Sequence, residues 1–192
     1  MNKLFIGLLA AALLNLTGCI SYSQHQLAEV QQWPPGEPPA QKRSAYLKVE
    51  SQYLLNGNPQ AGGFNSSNLE KLLMSNYQSS ERFARVTTAQ ETSDLYVDVT
   101  VRNHERGSMP LAFISGFTLM VIPATADNEL TMETVFRDGS GKELGRIEKK
   151  ETITTWMQLV LIFALPFNQS PDGVLNQLTQ STLEEAARRQ LI

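Results

Sequence analysis

The sequence predicts an α+β fold: a mostly antiparallel sheet with helices packed on one face, a two-layer sandwich. Three patterns predict it. Leu95 to Val101 alternates apolar and polar residues without a break, the period of a half-buried strand. Leu69, Leu72, Leu73 and Tyr77 recur at helical spacing ahead of it. A second helical pattern, 171–189, closes the chain.

The elements follow in order. Ala45 to Gln52 reads as a strand, because Leu47 and Val49 alternate with Lys48 and Glu50. Asn56-Gly57-Asn58-Pro59 and Gly62-Gly63 mark a loop. The first helix follows, with Ser67 and Glu70 spaced as a capping box. Arg82 to Thr87 is a short strand. Leu95, Val97, Val99 and Val101 then face one side of the next strand, and Tyr96, Asp98, Thr100 and Arg102 the other. Residues 129–154 read as a hairpin, with Leu130, Met132, Thr134 and Phe136 on one face and a turn at Asp138-Gly139-Ser140-Gly141. In the closing helix Ser170 is placed to cap, Pro171 suits the first position, and Val174, Leu178 and Ala186 mark the inner face.

Two uncharged stretches flank the hairpin, residues 108–126 and 152–170. Pro110, Gly116 and Pro123 interrupt the first. Pro166 cuts the second to an apolar run of about a dozen residues, short of the roughly 20 a helix needs to cross a bilayer. They admit three readings: core elements of the sandwich, a surface that docks on membrane or partner, or a transmembrane hairpin. Phe113, Phe117, Trp156 and Phe163 are the candidate contact residues.

The N-terminus has the layout of a secretory signal. Lys3 precedes an apolar run, Leu4 to Leu14, and small residues lead to Leu16-Thr17-Gly18-Cys19. That tetrapeptide resembles a bacterial lipobox. The resemblance implies cleavage before Cys19 and a diacylglyceryl group on its sulfur, usually with a third chain on the new amine. Two or more chains anchor stably where one does not. Ile20 is not the aspartate that retains lipoproteins in the inner membrane of enteric bacteria, so the implied destination is the outer membrane, facing the periplasm. The expected organisation is a signal peptide at 1–18, a lipidated Pro/Gln-rich tether at 19–44, and one α+β domain at 45–192. Within the tether, Pro34-Pro35 and Pro38-Pro39 favour extended chain, and Trp33 has two docking options, the domain or the membrane interface.

Cys19 is the only cysteine in 192 residues, so disulfides and thiol chemistry are excluded once it is lipidated. Net charge is −3, and scattered basic residues present no nucleic-acid stripe. His25 and His104 are the only histidines, too few for a zinc set without cysteines. Asp94, Asp98 and Glu105 do not form a spaced carboxylate pair, and Asp138 to Lys142 is a hairpin turn rather than a calcium or phosphate loop. No catalytic, metal or cofactor site is expected.

Ser80-Glu81-Arg82-Phe83-Ala84-Arg85-Val86 followed by Ser93-Asp94-Leu95-Tyr96-Val97, after a helix bearing Leu69, Leu72 and Leu73, is similar to a pattern in envelope lipoproteins. It resembles the small α+β domains of TolB N-terminal regions, the curli secretion lipoprotein and transporter-associated lipoproteins. Gly116-Phe117-Thr118-Leu119, Ile122-Pro123, Trp156 and Pro166 look like a group of bacterial lipoproteins without a known activity. The likeness implies a non-catalytic assembly or accessory factor that binds an envelope protein partner, with the membrane reached through Cys19. Its alternatives are a carrier or sensor of lipid or another apolar ligand, and a component inserted through the two apolar stretches.

Overall fold

A computed structural model describes residues 19–158, 161 and 170–192. Among them seven strands and three helices follow in the order β1 (Cys19–Ser23), β2 (Arg43–Leu55), β3 (Asn58–Pro59), α1 (Ser66–Ser79), β4 (Phe83–Thr87), β5 (Leu95–Gly107), α2 (Met109–Phe117), β6 (Ala124–Asp138), β7 (Glu143–Met157) and α3 (Pro171–Arg188). The strands form one open sheet in the order β1-β7-β6-β5-β2-β3, with β4 also on β2. The fold is the expected α+β sandwich, and its pairings are mostly antiparallel. The exceptions are β2 with β5 and β2 with β4, which run parallel.

Period-two patterning decides which face is covered. Ala45, Leu47, Leu95, Val97, Val99, Val101, Leu130, Met132, Phe136 and Ile147 share the face beneath α1 and α3, and all are buried. Helix α3 seals it with Val174, Leu175, Leu178, Leu183 and Ala186, and α1 with Leu69, Leu73 and Tyr77. Each fully buried aliphatic side chain contributes about 1.5–3 kcal/mol relative to exposure. Tyr77 stacks on Phe83 of β4 at 5.6 Å between ring centroids. Burial pushes its hydroxyl pKa far above the usual tyrosine range. The two helices are keyed together where Asn76 Nδ2 donates to Asn176 Oδ1 at 2.6 Å. Lys149 of β7 pairs with Glu185 of α3 across the layers.

The caps are partly as expected. Ser170 Oγ accepts the Gly173 N–H at 3.2 Å, with Pro171 opening α3. At α1 the cap is Asn65 instead of Ser67: its Oδ1 accepts the Asn68 N–H at 3.0 Å, and Ser67 lies inside the helix. The hairpin turn is held by Asp138 Oδ1, which accepts the N–H groups of Ser140 at 2.9 Å and Lys142 at 3.0 Å, and Gly141 supplies the positive φ.

Residues 19–44 are not the extended tether that their composition predicts. β1 pairs with the last five residues of β7, Cys19 opposite Met157 and Ser23 opposite Ile153. Leu27 joins the core, and Trp33 packs against it rather than standing free. Backbone pairing to a distant strand and a buried carboxylate, Glu151, hold this segment down; neither is visible in Gln and Pro content.

Candidate functional site

The register brings separate parts of the chain to one end of the sheet. Gly107 of β5 lies opposite Ala126, Ala126 opposite Thr155, and Thr155 opposite Ser21. Met157, where β7 ends, lies between Ala124 and Cys19. Cys19, the start of β6, the end of β7 and the whole of α2 therefore meet at this end.

Helix α2 is built locally. Ser108 Oγ accepts the Leu111 N–H at 3.3 Å, and Pro110 sits in the first turn, where a missing N–H costs nothing. Its end is capped by Thr118, whose N–H and Oγ1 both donate to Ile114 O, each at 2.9 Å. Leu119 and Met120 then take positive φ values, 52° and 61°, to turn the chain back to β6. Such a conformation costs an L-residue roughly 1–2 kcal/mol.

This helix and turn are apolar yet uncovered. Phe113 is 75% exposed, Phe117 83%, Val121 66% and Leu119 59%. Within α2 only Ser115 is buried. Trp156, 40% exposed on the sheet face away from α1 and α3, lies opposite Ile20 at this same end of the sheet, and Tyr22 on that face is exposed as well. Of the readings open for residues 108–126, a core element does not fit the exposures of α2 and its turn, whereas Ala124, at the start of β6, is buried. No helix among the described residues is long and apolar enough to cross a membrane. In the second stretch, Thr152 to Met157 is the end of β7, with Thr152, Ile153 and Thr154 buried. Phe163 lies outside the described residues.

The uncovered sheet face is polar. Glu129 bonds Lys150 at 2.8 Å and meets Arg106 at 3.6 Å; the Lys150 hydrogen bond first, then the nearby cations, holds its carboxyl below the usual range. His104 Nδ1 lies 3.3 Å from Arg106 Nη2. Asp98 pairs with Arg137 at 3.3 Å. Six residues along β5, about 20 Å, separate Asp98 from His104, so the strand does not bring them together. His25, with φ 53°, sits after β1, its N–H donating to Ser23 Oγ at 3.0 Å. Among the described residues no group of three His, Cys, Asp or Glu is placed to hold a metal.

Two features are located only by the structure. Glu151, on the core face of β7, is fully buried, and its oxygens accept the N–H groups of Leu27 at 2.9 Å, Thr152 at 2.9 Å and Gln26 at 3.4 Å. The other is a gap in the sheet edge. On the side of β2 away from β5, β4 covers Arg43 to Tyr46 and β3 covers Leu54 and Leu55. Among the described residues no strand covers Leu47 to Gln52 there, and Lys48, Glu50, Ser51 and Gln52 are exposed. Between sheet and helices, a cleft of about 140 Å³ is lined by Phe64, Asn103, Leu130, Ile153 and Pro171. Ligand sites for drug-sized molecules usually measure about 300–1,000 Å³.

The chain matches no protein-family model and no curated protein. Among solved structures it is similar to PelC from Paraburkholderia phytofirmans, a dodecamer, at 8% identity and a TM-score of 0.40, over 86% of this chain and 95% of that one. A single-substitution variant of that dodecamer gives 8% and 0.38, over 86% and 96%.

Proposed function

We propose that this protein is a lipid-anchored, periplasm-facing accessory factor of the bacterial envelope, non-catalytic, that binds a protein partner by strand addition. The observation that carries the reading is the uncovered stretch of β2, Leu47 to Gln52. Six residues match the length of an ordinary strand. An extended partner segment laid there gains main-chain hydrogen bonds, and side chains on alternate faces supply specificity. The Lys48–Glu50 pair, 2.8 Å apart and exposed, is the kind of charge that keeps an edge from pairing indiscriminately. Anchoring follows from the lipobox, and Ile20 after Cys19 favours the outer membrane. Cys19 is itself the first residue of β1, which leaves no spacer between acyl chains and domain.

A photo-crosslinking residue placed singly at Lys48, Glu50 and Gln52 tests the partner surface in living cells. One envelope protein is expected at all three positions, and no adduct from Ser140 in the far turn. Crosslinks from Ser140 but none along β2 would remove the strand-addition reading. Intact mass of the membrane-extracted protein tests the anchor: a diacylglyceryl mass on a chain that begins at Cys19 supports it.

A further inference from the structure

We propose that the sheet end carrying Cys19 is a foot that rests in the bilayer surface, with α2 and the Leu119–Ile122 turn inserted at headgroup level beside the lipid anchor. This rests on lipidation of Cys19 and names what its end of the domain touches.

Continuity with the anchor selects the bilayer as occupant. Acyl chains on the Cys19 sulfur enter the membrane within a side chain's reach of the row that holds Ala124 and Met157. Ser21, two residues or about 7 Å along β1, is in the row of Gly107, from which α2 departs. A domain tied this closely cannot hold α2 far from the headgroups.

The chemistry of the foot fits that position. Residues 108–126 contain no charged side chain. A helix that is apolar around its whole circumference is ordinarily buried. Here Met109, Phe113, Ile114 and Phe117 are exposed over its length. The turn adds Leu119 and Val121, held outward by the two consecutive positive φ values. Trp156, beside Ile20, has the residue type and half-exposed setting favoured where membrane meets water. Among the described residues, ion pairs start one row in from Gly107, at Arg106, and continue through Glu129 and Lys150. Strand β6, with 15 residues at about 3.3 Å each, carries the Asp138 turn some 45 Å to the opposite end. The foot thus fixes which part of the domain faces the membrane and leaves the open edge of β2 free.

The test uses full-length lipidated protein reconstituted into phosphatidylethanolamine–phosphatidylglycerol vesicles, with Trp33→Phe so that Trp156 alone reports. Vesicles whose acyl chains are brominated near the glycerol end should quench Trp156 emission roughly threefold, as expected for a residue seated about 5–10 Å into the boundary. Adding Phe113→Asp and Phe117→Asp should abolish the quenching while the protein still floats with the vesicles. Both positions are exposed, so the thermal melt should not move. Flotation without quenching of the parent would overturn the foot and leave the anchor standing. Emission that shifts only with protein density would mark a contact between copies and overturn it as well. Intact mass of the same sample reads the lipid separately, and a chain without acyl groups would remove the anchor and the foot together.

Discussion

Glu151 shows how one buried carboxylate can set the boundary of a domain. It faces the core side of the sheet, and three backbone N–H groups satisfy it in place of a cation. Two of those donors, Gln26 and Leu27, belong to the segment just after β1, so the side chain fastens the N-terminal segment to β7. Glu151→Gln keeps the shape but puts an NH₂ against one of these donors. If the amide oxygen keeps Gln26 and Thr152, the nitrogen confronts the Leu27 N–H. The expected cost is about 1–3 kcal/mol, the range for leaving a buried donor unsatisfied. Amide exchange at Gln26 and Leu27 should speed up more than exchange in β5. Unchanged stability with unchanged exchange would show that the carboxylate is not the fastener.

At the scale of elements, β1 is the piece that makes the sheet continuous with the anchor. Gln24 N–H donates to Thr152 O at 2.9 Å. Pairs in an antiparallel ladder alternate between bonded and non-bonded, so Tyr22 with Thr154 is the next bonded pair. Tyr22→Pro removes that donor, and proline is tolerated at an edge only where its N–H faces solvent. β1 should peel from β7, with faster exchange at Thr154 and Trp156, while α3 and β5 keep their protection. Loss of protection throughout would mean that β1 is integral to the core. The contrast with β5 explains what the sequence reveals. In β5 one face is buried along Leu95 to Val101, so hydrophobicity has to alternate, and the strand can be read directly. β1 is five residues long, at an edge, and held by backbone bonds to residues more than 130 positions away; its side chains record nothing of that partner. The same reasoning covers β6 and β7, which extend to Ala124 and Met157 through polar residues that carry no alternation. It also covers the site. Phe113, Phe117 and Trp156 are conspicuous as apolar residues, but only the strand register shows that they share an end with Cys19. The gap along β2 is a property of where β3 and β4 stop, and no residue in Leu47 to Gln52 announces it.

For the whole molecule, the groups with displaced pKa values predict a stability dome in pH. The carboxyls of Glu185, Glu129, Asp94 and Asp138 are all held below their ordinary values, chiefly by hydrogen bonds from Lys149, Lys150, Ser44 and Ser140 respectively. A carboxyl whose folded pKa is depressed binds its proton later in the native state than in the unfolded chain. Its contribution is therefore complete above the unfolded value, near 4 for these residues, and is lost as pH falls through the folded one. Tyr77 works in the opposite direction. Burial raises its folded pKa, so the native state keeps a proton that the unfolded chain releases, and stability falls once pH rises above about 10. Between these limbs, from about pH 5 to 9, unfolding free energy should be nearly flat with respect to these groups. The limbs have separate sources and can be removed separately. Glu185→Gln breaks the tie between α3 and β7 and should cost about 1 kcal/mol at neutral pH, because Glu185 and Lys149 are both largely covered. That deficit should shrink as pH falls below about 4, where the parent also loses its charge. Tyr77→Phe should leave the acid limb alone and reduce the alkaline one, of which Tyr53, raised by its hydrogen bond to Glu105, keeps a part. Denaturant titrations at a series of pH values measure both, and a Glu185→Gln deficit that stays constant into acid would show that Glu185 contributes through packing alone.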